Sequence, residues 1–186
     1  QKQDNAYIKE KHKSLSKKYL LSFALLLSTS LTSIPFYGTP ESMQDSERLK
    51  ELDAYWAEVS RTVSEGDYEG YGALYHPDAV VIFTTREPKS SISISEALYN
   101  WKPGFEATKA GKIKANVAFR FSQRIGNANT AHDTGVFAYS SENGKGQKSE
   151  DYVAFEMLFV KKDGKWLGMM EYQKNRVSQA DWDALK

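Results

Sequence analysis

Tyr152-Val-Ala-Phe-Glu156-Met-Leu-Phe-Val160-Lys-Lys-Asp-Gly164-Lys-Trp166-Leu-Gly-Met-Met-Glu171-Tyr-Gln173 decides how this chain folds. Asp163-Gly164 is a two-residue turn signal, because glycine accepts positive φ freely and aspartate tolerates it. The flanking runs are therefore expected to pair antiparallel. With those two residues as the whole turn, Lys162 faces Lys165, and counting outward sets Glu156 directly across from Glu171 on one face. Facing carboxylates repel each other. Inside apolar strands, one of the two is expected to hold its proton to unusually high pH, which suits a general acid or base.

Upstream of the hairpin, 78–85 is β-branched and aromatic, 113–121 alternates apolar and mostly polar residues, and 131–139 follows a turn at Asn127-Ala-Asn129. All three read as strands. Before them, Leu49, Leu52, Tyr55, Trp56, Val59 and Val63 recur at helical spacing, and Gly66 ends that helix. A short helix is expected over 67–75, stopped by His76-Pro77 because the residue before proline resists helical geometry. The segment 95–101 reads as a capped helical turn broken at Pro103, with 104–110 resuming, and Ser178 caps a last short helix running to Leu185. The order gives an α+β domain, a meander of antiparallel strands forming one curved sheet around N-terminal helices.

The start of the chain is of another kind. Lys9, Lys11, Lys13, Lys17 and Lys18 precede the apolar run Tyr19-Leu-Leu-Ser-Phe-Ala-Leu-Leu-Leu27, then small residues, Pro35 and Gly38. This is the pattern of a secretory signal peptide over 1–38. The competing reading is an uncleaved anchor, since no charge interrupts 19–37, although six serines and threonines in that run weaken it. A linker is expected over 39–46 and the folded domain over 47–186. Six of the 25 Lys and Arg and two of the 24 acids lie in 1–38, leaving 19 positive against 22 negative residues in the mature domain. A basic nucleic-acid footprint is therefore not expected, nor is membrane contact unless the N-terminal segment stays attached. The chain has no cysteine, so disulfide and thiolate chemistry are excluded. An exported protein, periplasmic or extracellular, is the expectation.

Gly66-Asp67, Leu74-Tyr-His-Pro-Asp-Ala-Val-Val81, Ala131-His-Asp-Thr-Gly135 and Lys162-Asp-Gly-Lys-Trp166, in this order, resemble the nuclear transport factor 2-like superfamily, and within it the small SnoaL-like and ketosteroid-isomerase-like bacterial domains. The resemblance implies a cystatin-like cone, a bent sheet wrapped on helices with a pocket between the first helix and the concave face. It also implies a homodimer through the convex face. Counting as in ketosteroid isomerases, the general-base position falls on Phe83 and the oxyanion tyrosine on Val59, while an acid survives at Glu156. These departures argue against that particular isomerisation.

On the residue pattern alone, Val153, Phe155, Met157 and Phe159 form the more apolar face of the strand, leaving Glu156 on the wetter one. The resemblance implies the reverse, an apolar convex dimer surface with Tyr152, Glu156, Leu158, Met169, Glu171 and Gln173 lining the pocket. Glu156 and Glu171 are candidate catalytic acids, with solvation or pairing to Arg120 or Arg124 as the alternative. Asp133 is a third candidate, alternating in register with Gly135, Phe137 and Tyr139, with His132 pointing away. Tyr55, Val59, Phe83, Trp101, Phe137, Tyr139, Tyr152, Met169 and Gln173 are candidate ligand contacts for a small apolar or aromatic molecule. Three histidines without paired spacing predict no metal site, and no nucleophile elbow or phosphate loop is present. Two functions are expected of such a chain. One is a cofactor-free isomerase, dehydratase or cyclase using carboxylates, where such steps contribute ~100 to 10,000-fold each. The other is a non-catalytic binding or assembly module.

Overall fold

The structure, a computed structural model, describes residues 40–185. The export segment at 1–38, and the anchor that is its alternative, lie outside those residues. The elements run α1 (Pro40–Glu65), α2 (Tyr68–Gly72), β1 (Tyr75–Phe83), β2 (Ser90–Ser93), α3 (Ile94–Lys109), β3 (Ile113–Gly126), β4 (Thr130–Asn143), β5 (Lys148–Lys162), β6 (Lys165–Arg176) and α4 (Gln179–Ala184). The linker expected at 39–46 is helical from Pro40, since the fixed φ of proline suits a first helical turn and its missing N–H costs nothing there. Arg48 Nη1 donates to Asp45 Oδ1 at 2.7 Å and ties the next turn. The helical turn expected at 95–101 belongs to the unbroken α3, whose N-cap Ser93 accepts from Glu96 N–H. Pro103 sits inside that helix, where it removes the N–H that would bond to the Tyr99 carbonyl. Tyr99 is 76 % exposed, so water can reach the carbonyl that is left over.

One six-stranded sheet has the order β2-β1-β6-β5-β4-β3. From β3 to β6 it is the expected antiparallel meander, but β1 pairs with β6 in parallel, which makes the sheet mixed. The strand begins earlier than its β-branched run, at Tyr75, because Gly168 N–H donates to the Leu74 carbonyl at 2.9 Å and draws this segment onto β6. Tyr75 is therefore a strand residue and not the end of a helix.

At the last turn Asp163 and Gly164 both have positive φ, 51° and 76°, and Lys162 pairs with Lys165 as the sequence requires. The register then slips. Phe159 pairs with Gly168, but Leu158 pairs with Met170, so Met169 is an extra residue in β6. Beyond this bulge Glu156 faces Tyr172, and Glu171 faces Met157. The expected Glu156–Glu171 pair does not form, because a one-residue slip moves every later side chain to the other face of the sheet.

The inward face carries Phe155, Met157 and Phe159, at 2 %, 1 % and 0 % exposure, packed on Leu52, Tyr55, Trp56 and Val59 of α1. Burying such side chains stabilises by roughly 1.5–3 kcal/mol each, which decides the direction of the strand. The residue pattern was thus the correct guide. On β5 the reversed faces implied by the resemblance are overturned, and Phe155, Met157 and Phe159 are core rather than an outer dimer surface. The same crowding explains Gly168, where an added Cβ would lie 2.7 Å from Met157 Cε and 3.1 Å from Tyr55 Oη. Among the described residues no helix is long and apolar enough to cross a membrane.

Candidate functional site

Between α1, α2 and α3 and the inward face of the sheet lies a cavity of about 460 Å³. Its walls are aromatic. Trp56 and Phe119 approach with ring centroids 4.3 Å apart, Tyr71 and Phe105 with 4.9 Å, and Phe137 and Phe155 with 5.8 Å. The sheet supplies the polar groups in cross-strand rows. Met157 pairs with Glu171, Phe155 with Gln173, Val153 with Arg176, and Asp151 lies one inward position further along β5. From Met157 to Asp151 the strand covers about 20 Å at ~3.3 Å per residue. One end of the cavity is buried and the other open, since Glu171 is 9 % exposed while the side chains of Asp151 and Arg176 are 52 % and 60 % exposed.

At the buried end Tyr75 Oη donates to Glu171 Oε2 at 2.5 Å, and Gln173 Nε2 donates to Glu171 Oε1 at 2.7 Å. Tyr71 Oη lies 3.1 Å from Tyr75 Oη. Among the described residues no cation touches Glu171, and burial raises its pKa above the ordinary glutamate value against the pull of those two hydrogen bonds. Burial, with the Glu171 carboxylate second, pushes the Tyr71 and Tyr75 hydroxyls upward as well, so both stay protonated. At the open end Arg176 Nε donates to Asp151 Oδ1 at 3.1 Å, and Arg176 Nη1 donates to the Thr85 carbonyl at 3.0 Å.

The raised carboxyl makes stability depend on pH. A folded-state pKa above the unfolded value means that folding holds the proton, so stability is full below about pH 4.5 and falls as pH rises through the folded pKa. Glu171→Gln is expected to remove that fall. Relative to the wild type, its unfolding free energy should gain as pH rises above about 4.5, by at most about 1.4 kcal/mol per pH unit, and its melting temperature should rise with it. Parallel melting-temperature profiles for the two proteins would contradict this.

Of the candidate residues, Glu171, Val59, Trp101, Phe137, Tyr139 and Gln173 line the cavity. Glu156 does not. It lies on the opposite face, where it accepts from Lys174 Nζ at 2.7 Å and sits 3.3 Å from His132 Nε2. The Lys174 ammonium holds the Glu156 carboxyl below its ordinary value, so the partner is neither Arg120 nor Arg124.

Asp133 faces inward in the row Arg124–Asp133–Met157–Glu171, but it is fully buried and sealed from the cavity by Trp56 Nε1 at 2.8 Å and Arg124 Nε at 3.1 Å, both donating to Oδ2. Tyr55 is core, donating to the Leu74 carbonyl at 3.1 Å. Phe83 is core beneath Arg86, and Met169 is the bulged residue. Tyr152 packs on Trp182 of α4. Tyr71 and Tyr75 were missed as site residues, because tyrosines four apart before a proline read as one helix face, whereas the chain leaves the helix between them. Among the described residues no group of three or more His, Asp or Glu side chains is placed to hold a metal ion.

A bent sheet on three helices with a cavity between them defines a nuclear transport factor 2-like domain. Residues 48–174 match the model of the calcium/calmodulin-dependent protein kinase II association domain, and the chain belongs to that family. No curated protein sequence matches it. Among solved structures, a Mycobacterium tuberculosis protein of unknown function is similar at 17% identity and TM-score 0.58, covering 77% of this chain and 79% of that one. A ketosteroid isomerase-like protein from Erwinia carotovora atroseptica is similar at 17% identity and TM-score 0.54, covering 71% of this chain and 98% of that one. A Catenulispora acidiphila protein solved in complex with S-DNPA is similar at 13% identity and TM-score 0.55, covering 69% of this chain and 93% of that one.

Proposed function

We propose that this chain is an exported domain that takes a small, largely apolar or aromatic molecule into the cavity and moves a proton on it without a cofactor. Isomerisation, dehydration and cyclisation are the reactions of this kind. Glu171 is the acid, and acts as the base once its proton has been given up. The single observation carrying this reading is a buried carboxyl, touched by no cation among the described residues and braced by Tyr75 and Gln173 at the end of an aromatic cavity. A protein keeps such a group at a cost in stability, and general acid–base catalysis is a use that offsets it.

Acetophenone provides a test, because exchange of its methyl protons in heavy water requires acid–base catalysis at a ketone. The full chain is expected to accelerate deuterium incorporation, and Glu171→Gln to lower the enzyme-catalysed rate on the order of 100-fold. An unchanged rate in the variant would defeat the catalytic reading. Export with loss of 1–38 would appear in the intact mass of the protein recovered outside the cytoplasm.

A second reading is a non-catalytic assembly module, and it has its own support. The family is an association domain, and the outer row Ile125–His132–Leu158–Met170 leaves Ile125 51 % and Leu158 38 % exposed. In that reading the outer face of the sheet pairs with a second copy of the chain. It predicts that Glu171→Gln leaves self-association intact, as sedimentation would show.

A further inference from the structure

Three oxygens form a chain from the bottom of the cavity into it: Glu171 Oε2, then Tyr75 Oη at 2.5 Å, then Tyr71 Oη at a further 3.1 Å. Glu171 and Tyr75 are buried and Tyr71 is the least buried of the three; all three line the cavity, and the Tyr71 hydroxyl is the free end of the chain. The other carboxylate oxygen accepts from Gln173 Nε2, which assigns the carboxyl proton, when present, to Oε2. Each hydroxyl in the chain has one proton to donate.

Those protons can be ordered in two ways. With Glu171 ionised, Tyr75 donates to the carboxylate and Tyr71 donates to Tyr75, so Tyr71 offers the cavity only lone pairs. With Glu171 protonated, its O–H donates to Tyr75, Tyr75 donates to Tyr71, and the Tyr71 proton is free to donate into the cavity. The groups facing Glu171 are Tyr75 from β1, Tyr71 from α2, Tyr55 from α1 and Met157 from β5. Tyr55 is committed to the Leu74 carbonyl, and the charged groups Asp151 and Arg176 stand at the open end of the cavity.

We propose that Tyr71 is the residue that touches the polar atom of the ligand, and that the protonation state of Glu171, relayed through Tyr75, sets whether Tyr71 acts there as donor or acceptor. This rests on the reading of the cavity as a ligand site and makes its specificity reversible. A molecule with only an acceptor, such as a ketone, binds the protonated protein better. A molecule with only an N–H donor binds the ionised protein better. When a proton is transferred, Tyr71 gives its proton to the ligand and takes the one from Tyr75, which takes the one from Glu171. One proton leaves Glu171 and one reaches the ligand.

Acetophenone and indole are the acceptor-only and donor-only probes. Their binding to the full chain is measured from about pH 5 to pH 9, together with the infrared carbonyl band of bound acetophenone. Acetophenone affinity is expected to fall by up to about tenfold as pH rises, the worth of one hydrogen bond, and indole affinity to rise. The carbonyl band should be red-shifted at low pH only. Tyr71→Phe should abolish the red shift, Tyr75→Phe should keep a shift that no longer varies with pH, and Glu171→Gln, whose amide donates permanently, should keep it at all pH values. A pH-dependent red shift surviving in both tyrosine variants would overturn the relay while leaving the cavity reading intact, because the ligand would then be touching Glu171 directly. Failure of either probe to bind would overturn both.

Discussion

Asp133→Ala is expected to lower the unfolding free energy by about 3–5 kcal/mol, the cost of leaving a buried charge without its partner. Asp133 is fully buried, and its Oδ2 takes both the Trp56 indole N–H and Arg124 Nε. Arg124 also donates from Nη1 to Asp53 Oδ1 at 2.5 Å. Arg48, itself 5 % exposed, donates to Asp45 and, at 3.5 Å, to the Arg124 carbonyl. Truncation strands the Trp56 N–H and weakens the hold on two largely buried guanidinium groups in one step. Little in the cluster can take up the loss, because Arg48 Nε, Arg124 Nη2 and Asp133 Oδ1 are already buried without a hydrogen-bond partner among the described residues. Asp133→Asn, which keeps an acceptor for Trp56, should cost distinctly less. Urea titration of both variants is the measurement. A loss under about 1 kcal/mol for the alanine variant would mean that Asp53 and Asp45 suffice to hold the arginines.

Gly135→Ala should cost about 3 kcal/mol, at the upper end of what overpacking does to a tight interior. An alanine Cβ there would lie 2.0 Å from the Arg120 carbonyl oxygen and 3.0 Å from Phe121 Cα, and both are backbone atoms that cannot rotate away. The contact follows from a bulge. Phe121 pairs with Gly135 and Gln123 with Thr134, so Ser122 is an extra residue that pushes β3 toward β4. Gly104 in α3 is the control, since nothing lies within 4 Å of a Cβ built there. Gly104→Ala is expected to stabilise by ~0.5–1 kcal/mol through helix propensity. Equal midpoints for Gly135→Ala and the wild type in urea would show that the two strands can part without loss.

Both predictions concern residues that stand out in the sequence for other reasons. Ala131-His-Asp-Thr-Gly135 carried part of the family resemblance, and Asp133 stood as a catalytic candidate because it alternates with Phe137 and Tyr139. Alternation correctly placed it on the inward face. It could not show that Trp56, 77 positions away, and Arg124 would enclose it there.

The cavity was legible to a similar degree. Val59, Trp101, Phe137 and Tyr139 line it, each an apolar or aromatic residue on an inward face that periodicity exposes. Phe83 and Tyr55 share that periodicity but fill the core, because helical and strand spacing reports the face of an element and not the distance from a void.

The sequence by itself determined the hairpin turn at Asp163-Gly164, the Lys162–Lys165 pairing, the inward run Val153, Phe155, Met157 and Phe159, and the α+β order. All of these are set by local φ preference and by burial of one face of a strand or helix. Only the tertiary structure decided the fate of the two glutamates. The extra residue Met169 in β6 turned Glu171 into the cavity and left Glu156 outside with Lys174. A period of two cannot report an insertion, and the contacts that favour this one, Gly168 against Tyr55, Tyr75 and Met157, join segments far apart in the chain. Tyr75, and through it Tyr71, reached Glu171, 96 positions away, only because β1 docked in parallel on β6, a pairing absent from any local pattern.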